Sequence, residues 1–299
     1  MKSLVKMSSL KVLLGKPVAE KNYSLLKDRI IKLKNEGIVP KLVVILIGNN
    51  PASKIYVNSK AKIFKQLNCY SEIVKLKENV SENLLFKLIS KLNKDNSIHG
   101  ILLQLPLPKH LDSNNFLSKI NPLKDVDGFH PENLGLLLQG NPRFIPCTPL
   151  GCIKILDYYK IDVKSKHVVI IGRSNIVGKP MMSLLSQSFE IGNATVTICH
   201  SYTKDLSKYT KSADIIICAV GKPNLINKTM IKEGCIIVDV GINRVNDSSE
   251  KGYHIVGDID YKSVSNIAGS ITPVPGGVGP MTISMLVNNT ILAAELSIR

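Results

Sequence analysis

The sequence contains no tryptophan, and only five of its 39 basic residues are arginine. Proteins that bind nucleic acid favour arginine forks and aromatic platforms on which bases stack. The net charge of +16 therefore indicates a solvated, lysine-rich surface rather than a nucleic-acid-binding face. We expect no nucleic-acid partner.

Long apolar runs and metal-binding patterns are also missing. No apolar stretch approaches the ~20 residues that span a bilayer, and the N-terminus has no apolar block of signal-peptide length. The six cysteines form no C-x-x-C pair and the six histidines no H-x-x-x-H pattern, so no metal site is predicted. We expect a soluble, cytoplasmic protein without a membrane partner, whose cysteines are reduced, buried thiols.

Short apolar strands alternate with amphipathic helical patterns over most of the chain. This alternation is typical of α/β proteins, in which helices cover both faces of a parallel sheet. The predicted strands are 41–48, 98–106, 167–172, 194–200, 213–221 and 235–241, and the predicted helices include 16–36, 53–68, 81–94 and 280–296.

A stretch rich in proline and glycine, residues 121–149, indicates a bridge between two α/β domains. We predict a first domain over 1–147, completed by a C-terminal helix within 277–299, because a lone terminal helix needs a surface for its apolar face. The second domain, 148–276, is predicted to be a Rossmann-like, doubly wound parallel sheet, with the active cleft between the two domains.

The stretch VVIIGRSNIVGKP, residues 168–180, has the order of a phosphate-binding unit. A strand ends at Gly172, a short loop follows, and a helix begins near Gly178, an arrangement that aims backbone N–H groups at phosphate. The usual G-x-G-x-x-G pattern is absent, so an ordinary tight turn remains an alternative.

The residues after the next predicted strand favour NADP over NAD. An NAD site places a carboxylate there for the ribose 2′-hydroxyl, but the strand 194–200 is followed by Ser201, Tyr202 and Thr203. The guanidinium of Arg173 and the hydroxyls of Ser174 and Ser201 suit a 2′-phosphate instead. The alternative is a surface arginine on a loop.

The stretch SKIYVNSKAKIFKQL, residues 53–67, places Ser53, Tyr56 and Lys60 on one face of a helix, at ~100° per residue. Lys60 then lies within an apolar stripe. One interpretation is a lysine whose stem packs while its amine reaches water. The other is a partly desolvated amine with a lowered pKa, suited to proton transfer.

Three further stretches combine polar or small residues with restricted backbone. Gln104 interrupts the apolar run GILLQLPLP and is either a satisfied core amide or a site residue at the end of a strand. KDVDG, 124–128, is expected to be a turn with solvated aspartates. The rigid loop ITPVPGGVGPMT, 271–282, would let a planar ligand approach the backbone, unless it is only a linker.

Eight motifs now occur in one order along the chain. They are S-x-x-Y-x-x-x-K at 53–60, QLPLP at 104–108, KDVDG at 124–128, PCTPLG at 146–151, GRSNIVGKP at 172–180, DVGIN at 239–243, GDID at 257–260 and PVPGGVGPMT at 273–282. Together they closely resemble the bifunctional methylenetetrahydrofolate dehydrogenase/methenyltetrahydrofolate cyclohydrolase family. The resemblance covers essentially the whole chain, apart from a short N-terminal extension at 1–8.

The resemblance implies two reactions of one-carbon metabolism. One is oxidation of 5,10-methylenetetrahydrofolate to the 5,10-methenyl cation with NADP, and the other is its hydrolysis to 10-formyltetrahydrofolate. It also implies a homodimer. An alternative is another NADP-dependent dehydrogenase with a shikimate-dehydrogenase-like layout, which would not need Lys60 and Asp127 together with the glycine-rich loop.

The resemblance further assigns roles to individual residues. Lys60 would transfer protons, Gln104 would hold and tune it, Asp127 would bind the pterin edge, and Tyr56 would lie along the folate; these four form the implied catalytic set. The other implied substrate-binding residues are Ser53, Pro275, Gly276 and Gly277. The implied cofactor-binding residues are Gly172, Arg173, Ser174, Ser201, Ile242, Thr148 and Thr282.

Overall fold

A computed structural model describes residues 10–250 and 252–298, so the predicted N-terminal extension lies outside the described residues. The chain divides into two compact units. The six-stranded unit comprises the described residues up to Val18 together with Gly151–Met281, and the three-stranded unit comprises Ala19–Leu150 together with the residues from Thr282 onward. Two α/β units with parallel sheets confirm the predicted fold class.

The elements are numbered in chain order. The strands are β1 (Lys11–Val12), β2 (Lys41–Ile47), β3 (Tyr70–Leu76), β4 (Gly100–Leu103), β5 (His167–Ile171), β6 (Thr195–Cys199), β7 (Ile215–Cys218), β8 (Ile236–Asp239), β9 (Asn243–Asn246), β10 (Tyr253–Val256) and β11 (Ser270–Ile271). The helices are α1 (Gly15–Asn35), α2 (Pro51–Gln66), α3 (Glu82–Lys94), α4 (Ser113–Leu117), α5 (Pro131–Leu138), α6 (Cys147–Tyr158), α7 (Gly178–Ser186), α8 (Leu206–Ser212), α9 (Tyr261–Val264) and α10 (Val278–Leu296).

The three-stranded unit is built on a parallel sheet with the order β3-β2-β4. The central strand β2 is buried at six of its seven positions, as its continuous apolar sequence KLVVILI predicts. Helix α2 begins where the Asn50 side chain accepts a hydrogen bond from Ser53 N, and α3 begins at a Ser81 cap. The carboxyl end of β4 leads directly to Gln104.

Helix α10 is tied into the three-stranded unit by polar contacts. The guanidinium of Arg29 donates two hydrogen bonds to Glu295, at 2.8 and 2.7 Å, and a third to Asn288. The buried Asn289 amide donates to the carbonyls of Val126 and Ile145, both at 2.9 Å. The Asn289 bonds hold the KDVDG turn, through Val126, and the later segment at Ile145 against the same helix.

The six-stranded unit contains a parallel sheet with the order β1-β11-β8-β7-β5-β6. Strand β5 pairs with both β6 and β7, so the strand order reverses beside β5. Ligands of doubly wound sheets bind outside the carboxyl ends of the strands at such a reversal. An antiparallel pair, β9 and β10, forms a separate hairpin.

Six predicted strands are confirmed as β2 and β4 to β8, each shorter than predicted. Strand β3 was missed because its exposed and half-buried residues alternate without a strong apolar run. All six cysteines are free and buried, as predicted. Within residues 10–250 and 252–298, no helix combines the length and apolarity needed to cross a membrane.

Candidate functional site

Helix α2 buries a lysine beside the end of β4. Lys60 is only 4% exposed, and its Nζ donates a 3.0 Å hydrogen bond to Oε1 of Gln104. The same Nζ lies 4.5 Å from the centroid of the Tyr56 ring, one turn earlier on the helix. The interpretation in which the amine reaches water is therefore wrong, because the buried amine ends on the half-buried Gln104 amide and an aromatic face.

The electrostatics of Lys60 and Asp127 are coupled. Burial lowers the pKa of the Lys60 amine, and the nearby Asp127 carboxyl opposes that shift. Burial likewise raises the pKa of Asp127, and Lys60 opposes it. Both groups are thus displaced toward their neutral forms, and a neutral amine is the form that accepts a proton.

Gln104 is held in a single orientation by the backbone around it. Its N–H donates to the carbonyl of Ile45 at 2.9 Å, and its Nε2 donates to the carbonyl of Leu105 at 2.7 Å. The Nε2 bond leaves Oε1 as the atom that faces Lys60. Gln104 is therefore both a satisfied amide and a site residue, so the two interpretations of the sequence are compatible.

Hydroxyl and thiol groups surround the same cluster. The buried Cys147 thiol lies within hydrogen-bonding reach of the Asp127 carboxyl. Tyr56 hydrogen-bonds to Thr282, whose hydroxyl is also 3.0 Å from that of Thr148. The sequence gives no indication of this role for Cys147, since no local pattern shows that a residue 20 positions away contacts Asp127.

The predicted site residues of the three-stranded unit are therefore partly assembled in one place. Lys60, Tyr56, Gln104 and Asp127 form one cluster of contacts and electrostatic interactions. Ser53 is 7% exposed at the start of the same helix. Thr148 and Thr282, which the resemblance assigns to the cofactor, belong to this unit as well.

The six-stranded unit has a cleft of about 440 Å³ at the carboxyl ends of β5, β6 and β7. Gly172 has φ +118°, and a Cβ at this position would collide with the carbonyl oxygen of Ala219. A Cβ on Gly178 would collide with the carbonyl of Gly172. At Gly172 and Gly178 the backbone segments are therefore too close together for a side chain to fit between them. The exposed backbone of this turn fits a dinucleotide phosphate.

Three further predicted cofactor residues line this cleft together with Gly172. Arg173 is exposed and its guanidinium lies 5.7 Å from the Tyr202 ring centroid. The Ser174 hydroxyl accepts hydrogen bonds from the N–H groups of Val177 and Gly178, which orients it at the start of α7. Ser201 is exposed on the opposite loop. The cleft also contains polar residues that sequence analysis did not select: His200, Thr203 and Lys222.

A second, smaller cavity of about 220 Å³ in this unit is lined by Ile242 and the glycine-rich loop. Ile242 is 63% exposed, and Pro275, Gly276 and Gly277 form the facing wall. Gly15 supports the loop from behind, because its N–H donates to the carbonyl of Gly276 at 2.9 Å. A Cβ on Gly15 would collide with the carbonyl of Gly277, so the close approach requires glycine there.

The turn KDVDG differs from its predicted form. Asp125 was expected to be solvated, but it is 1% exposed. Its carboxylate accepts hydrogen bonds from Phe129 N at 3.2 Å, His130 N at 2.7 Å and Asn133 Nδ2 at 2.8 Å. The prediction was wrong because the acceptor is needed by residues that follow the turn and fold back onto it.

The models of two domains of one protein family together match most of the chain. Residues 13–127 match the catalytic domain of tetrahydrofolate dehydrogenase/cyclohydrolase. Residues 146–298 match the NAD(P)-binding domain of the same family. The matched ranges include Lys60, Tyr56, Gln104 and Asp127, together with the whole cleft beside β5.

Similar proteins are found in bacteria and in a trypanosome. The bifunctional protein FolD of Nitratiruptor sp. is 51% identical over 287 residues, 96% of this chain and 98% of that protein. A crystal structure of the bifunctional FolD enzyme, a methylenetetrahydrofolate dehydrogenase/cyclohydrolase, from Campylobacter jejuni is 50% identical with a TM-score of 0.89, covering 96% of this chain and 99% of its own. The Trypanosoma brucei methylenetetrahydrofolate dehydrogenase-cyclohydrolase, solved with NADP and an inhibitor, is 36% identical with a TM-score of 0.92, covering 98% and 100%.

The burial of Asp125 predicts a structural effect for its removal. Asp125→Ala would leave three donors without their acceptor, and each unsatisfied buried group typically costs about 1–3 kcal/mol. We expect the free energy of unfolding, measured by urea titration, to fall by roughly 3 kcal/mol or more. Asp112→Ala removes an exposed helix cap and should lose only about 1 kcal/mol. Equal losses in the two variants would contradict this role.

Proposed function

The chain belongs to the tetrahydrofolate dehydrogenase/cyclohydrolase family, and on this premise we propose how its residues divide two reactions. It oxidises 5,10-methylenetetrahydrofolate to the 5,10-methenyl cation with NADP, and hydrolyses that cation to 10-formyltetrahydrofolate. The observation that carries this assignment is the contact of the buried Lys60 amine with Gln104 beside Asp127. Because both domains match this family, the assignment is favoured over a shikimate-dehydrogenase-like enzyme.

Asp127 binds the pterin ring of the folate in this proposal. Adjacent N–H donors on the ring edge match the two oxygens of one carboxylate, and charge-assisted bonds of this kind are strong. Ring donors would also favour the ionised form of Asp127, against the effect of burial on its pKa. Tyr56, bonded to Thr282, and the neighbouring Ser53 lie along the folate.

Oxidation depends on positioning rather than on a side-chain acid. NADP, when bound, supplies the oxidant that takes a hydride from the methylene carbon of the substrate. In the cleft, Gly172 lets the backbone approach the dinucleotide, and Arg173, Ser174 and Ser201 hold the 2′-phosphate. We also assign Ile242, Thr148 and Thr282 to cofactor contacts, and Pro275, Gly276 and Gly277 to the wall beside the substrate. These residues hold the reactants in place, which is their contribution to the rate.

Hydrolysis requires proton transfers at water and at N5, and Lys60 performs both. The neutral amine takes a proton from water as the water oxygen bonds to the methenyl carbon. The hydroxyl formed on that carbon then releases its remaining proton to solvent and becomes the formyl C=O as the bond from the carbon to N5 breaks. The ammonium of Lys60 returns its proton to N5, leaving the formyl group on N10. Gln104 holds the amine at the required place throughout, because its own amide is fixed by backbone bonds.

We further propose that residues 1–147 with 277–299 serve folate chemistry and 148–276 serve NADP, as the sequence predicts. The protein acts in the cytoplasm, where its six free, buried cysteines stay reduced. Neither nucleic acid nor a membrane is needed as a partner.

Lys60→Met keeps the packing of the side-chain stem and removes the amine. A general acid–base group typically contributes about 10²–10⁴-fold, so we expect cyclohydrolase activity to fall to near the uncatalysed rate. Dehydrogenase activity should persist, and the absorbance of methenyltetrahydrofolate should accumulate. Lys60→Arg should not restore hydrolysis, since a guanidinium stays protonated. Lys54→Met, on the exposed face of the same helix, is the control; normal hydrolysis by Lys60→Met would disprove the mechanism.

Arg173→Ala tests the preference for NADP. Loss of a charge-assisted contact to the 2′-phosphate should raise the KM for NADP by about an order of magnitude and leave that for NAD unchanged. Arg244→Ala, which removes another arginine stacked on a tyrosine, is the matched control and should change neither value. Equal use of NAD and NADP by the unmodified protein would rule out this role.

The family resemblance supports a homodimer. Size-exclusion chromatography with light scattering should give twice the 32.8 kDa mass of the chain. A mass of one chain at micromolar concentration would contradict the proposal.

A further inference from the structure

Two buried aspartates hold the carboxyl ends of several strands in the six-stranded unit. Asp258 is fully buried, and its carboxylate accepts hydrogen bonds from three consecutive backbone N–H groups, those of Val220, Gly221 and Lys222, at 2.7, 3.1 and 2.8 Å. A fourth bond comes from the Asn243 amide at 2.8 Å. One carboxylate thus determines the course of the loop that follows β7.

Asp239, at the end of β8, holds Asp258 in turn. Its carboxylate accepts from the N–H groups of Asp258, Ile259 and Gly241, each at 3.0 Å. Its own N–H donates to the Thr272 hydroxyl at 2.7 Å, just after β11. The two carboxylates therefore connect the segments that follow β7, β8 and β10, and the backbone N–H of Asp239 adds the residue that follows β11.

Two glycines make this arrangement possible. A Cβ on Gly241 would collide with the carboxylate of Asp258, and a Cβ on Gly257 would collide with that of Asp239. Asp258 is thus packed against Gly241, which lies close to Asp239 in the sequence. Asp239 is packed against Gly257, the residue before Asp258. The family resemblance gave a role to Ile242 alone in the DVGIN and GDID motifs, and the structure shows that the two motifs interlock through Asp239, Gly241, Gly257 and Asp258.

Burying the carboxylates of Asp239 and Asp258 costs desolvation free energy, which their hydrogen bonds must offset. Burial raises the pKa of Asp239 to about 7, although three N–H groups stabilise its charge. A carboxylate buried without a cation is stable only when its hydrogen bonds are complete. Such a group specifies one conformation of the loops that it holds, because a displaced N–H would leave both partners unsatisfied.

The loop held by Asp258 forms one wall of the cofactor cleft. Val220 and Lys222 line that cleft, and Ala219 provides the carbonyl against which Gly172 fits. Asp258 is not itself part of the lining. We propose that Asp258, seated by Asp239, is a positioning residue for NADP: it fixes the Val220–Lys222 loop and so sets the width of the cleft opposite the Gly172 turn. This inference rests on the proposed use of NADP.

Asp258→Asn tests the proposal with little change in size. The amide offers one acceptor oxygen in place of two, and its NH₂ group faces backbone donors, so the loop should shift. We expect the dissociation constant of NADP, measured by isothermal titration, to rise about 5- to 10-fold, which is roughly 1–1.4 kcal/mol. The kcat for hydrolysis of methenyltetrahydrofolate, assayed without NADP, should stay within about twofold of the unmodified protein.

Asp214→Asn is the matched control. Asp214 also belongs to the six-stranded unit and accepts a backbone bond, from His167 N at 2.8 Å, as well as one from Lys232 at 2.6 Å. It precedes β7 and so lies at the amino ends of the strands, whereas the cleft lies at their carboxyl ends. Its replacement should leave NADP affinity unchanged, even if the melting temperature falls.

Three results would overturn the proposal. They are unchanged NADP affinity in Asp258→Asn, an equal loss in Asp214→Asn, or a parallel loss of NADP binding and hydrolysis. If Asp258→Asn does not fold, Asn243→Ala removes a single donor and should weaken NADP two- to threefold; unchanged affinity there would be equally decisive. Failure of the unmodified protein to bind NADP would instead refute the proposed function, so the two failures are distinguishable.

Discussion

Backbone N–H groups in the loops that connect strands and helices need acceptors, and buried aspartates supply them in both units. Asp125 serves the segment that leads into α5, while Asp239 and Asp258 serve the segments after β7, β8 and β10. The sequence has 39 basic and only 23 acidic residues, yet it buries these three carboxylates. The loops that carry the candidate sites have definite shapes because leaving these donors unpaired would be costly.

The buried amine of Lys60 also depends on polar partners, although its charged form is a cation and not an anion. Burial alone would favour a hydrocarbon at this position, and a lysine is retained where its neutral and charged forms both have partners. Gln104 accepts from the amine in either form, Asp127 stabilises the ammonium, and the Tyr56 ring faces it. The site is thereby able to change its protonation state without rearranging its neighbours.

The sequence predicted what depends on local pattern. Continuous β-branched runs located six parallel strands, and helical periodicity placed Ser53, Tyr56 and Lys60 on one face. Strand β3 lacked such a run, and the burial of Asp125 depended on donors four to eight residues further along the chain. The pairing of Asp239 with the turn at Asp258 spans 19 residues and leaves no local pattern. The DVGIN and GDID motifs are recognisable in the sequence, but only the structure shows that they contact each other.

The edge strand β1 has a consequence for the order in which the chain acquires structure during synthesis. Lys11 and Val12 pair in parallel with Ser270 and Ile271, so β1 leaves the ribosome long before the strand with which it pairs. The three-stranded unit likewise depends on α10, through Arg29 and Glu295. A nascent chain shorter than about 270 residues therefore completes neither unit. Contacts so distant in sequence slow folding, because the entropy of closing a long loop is lost before the contact forms.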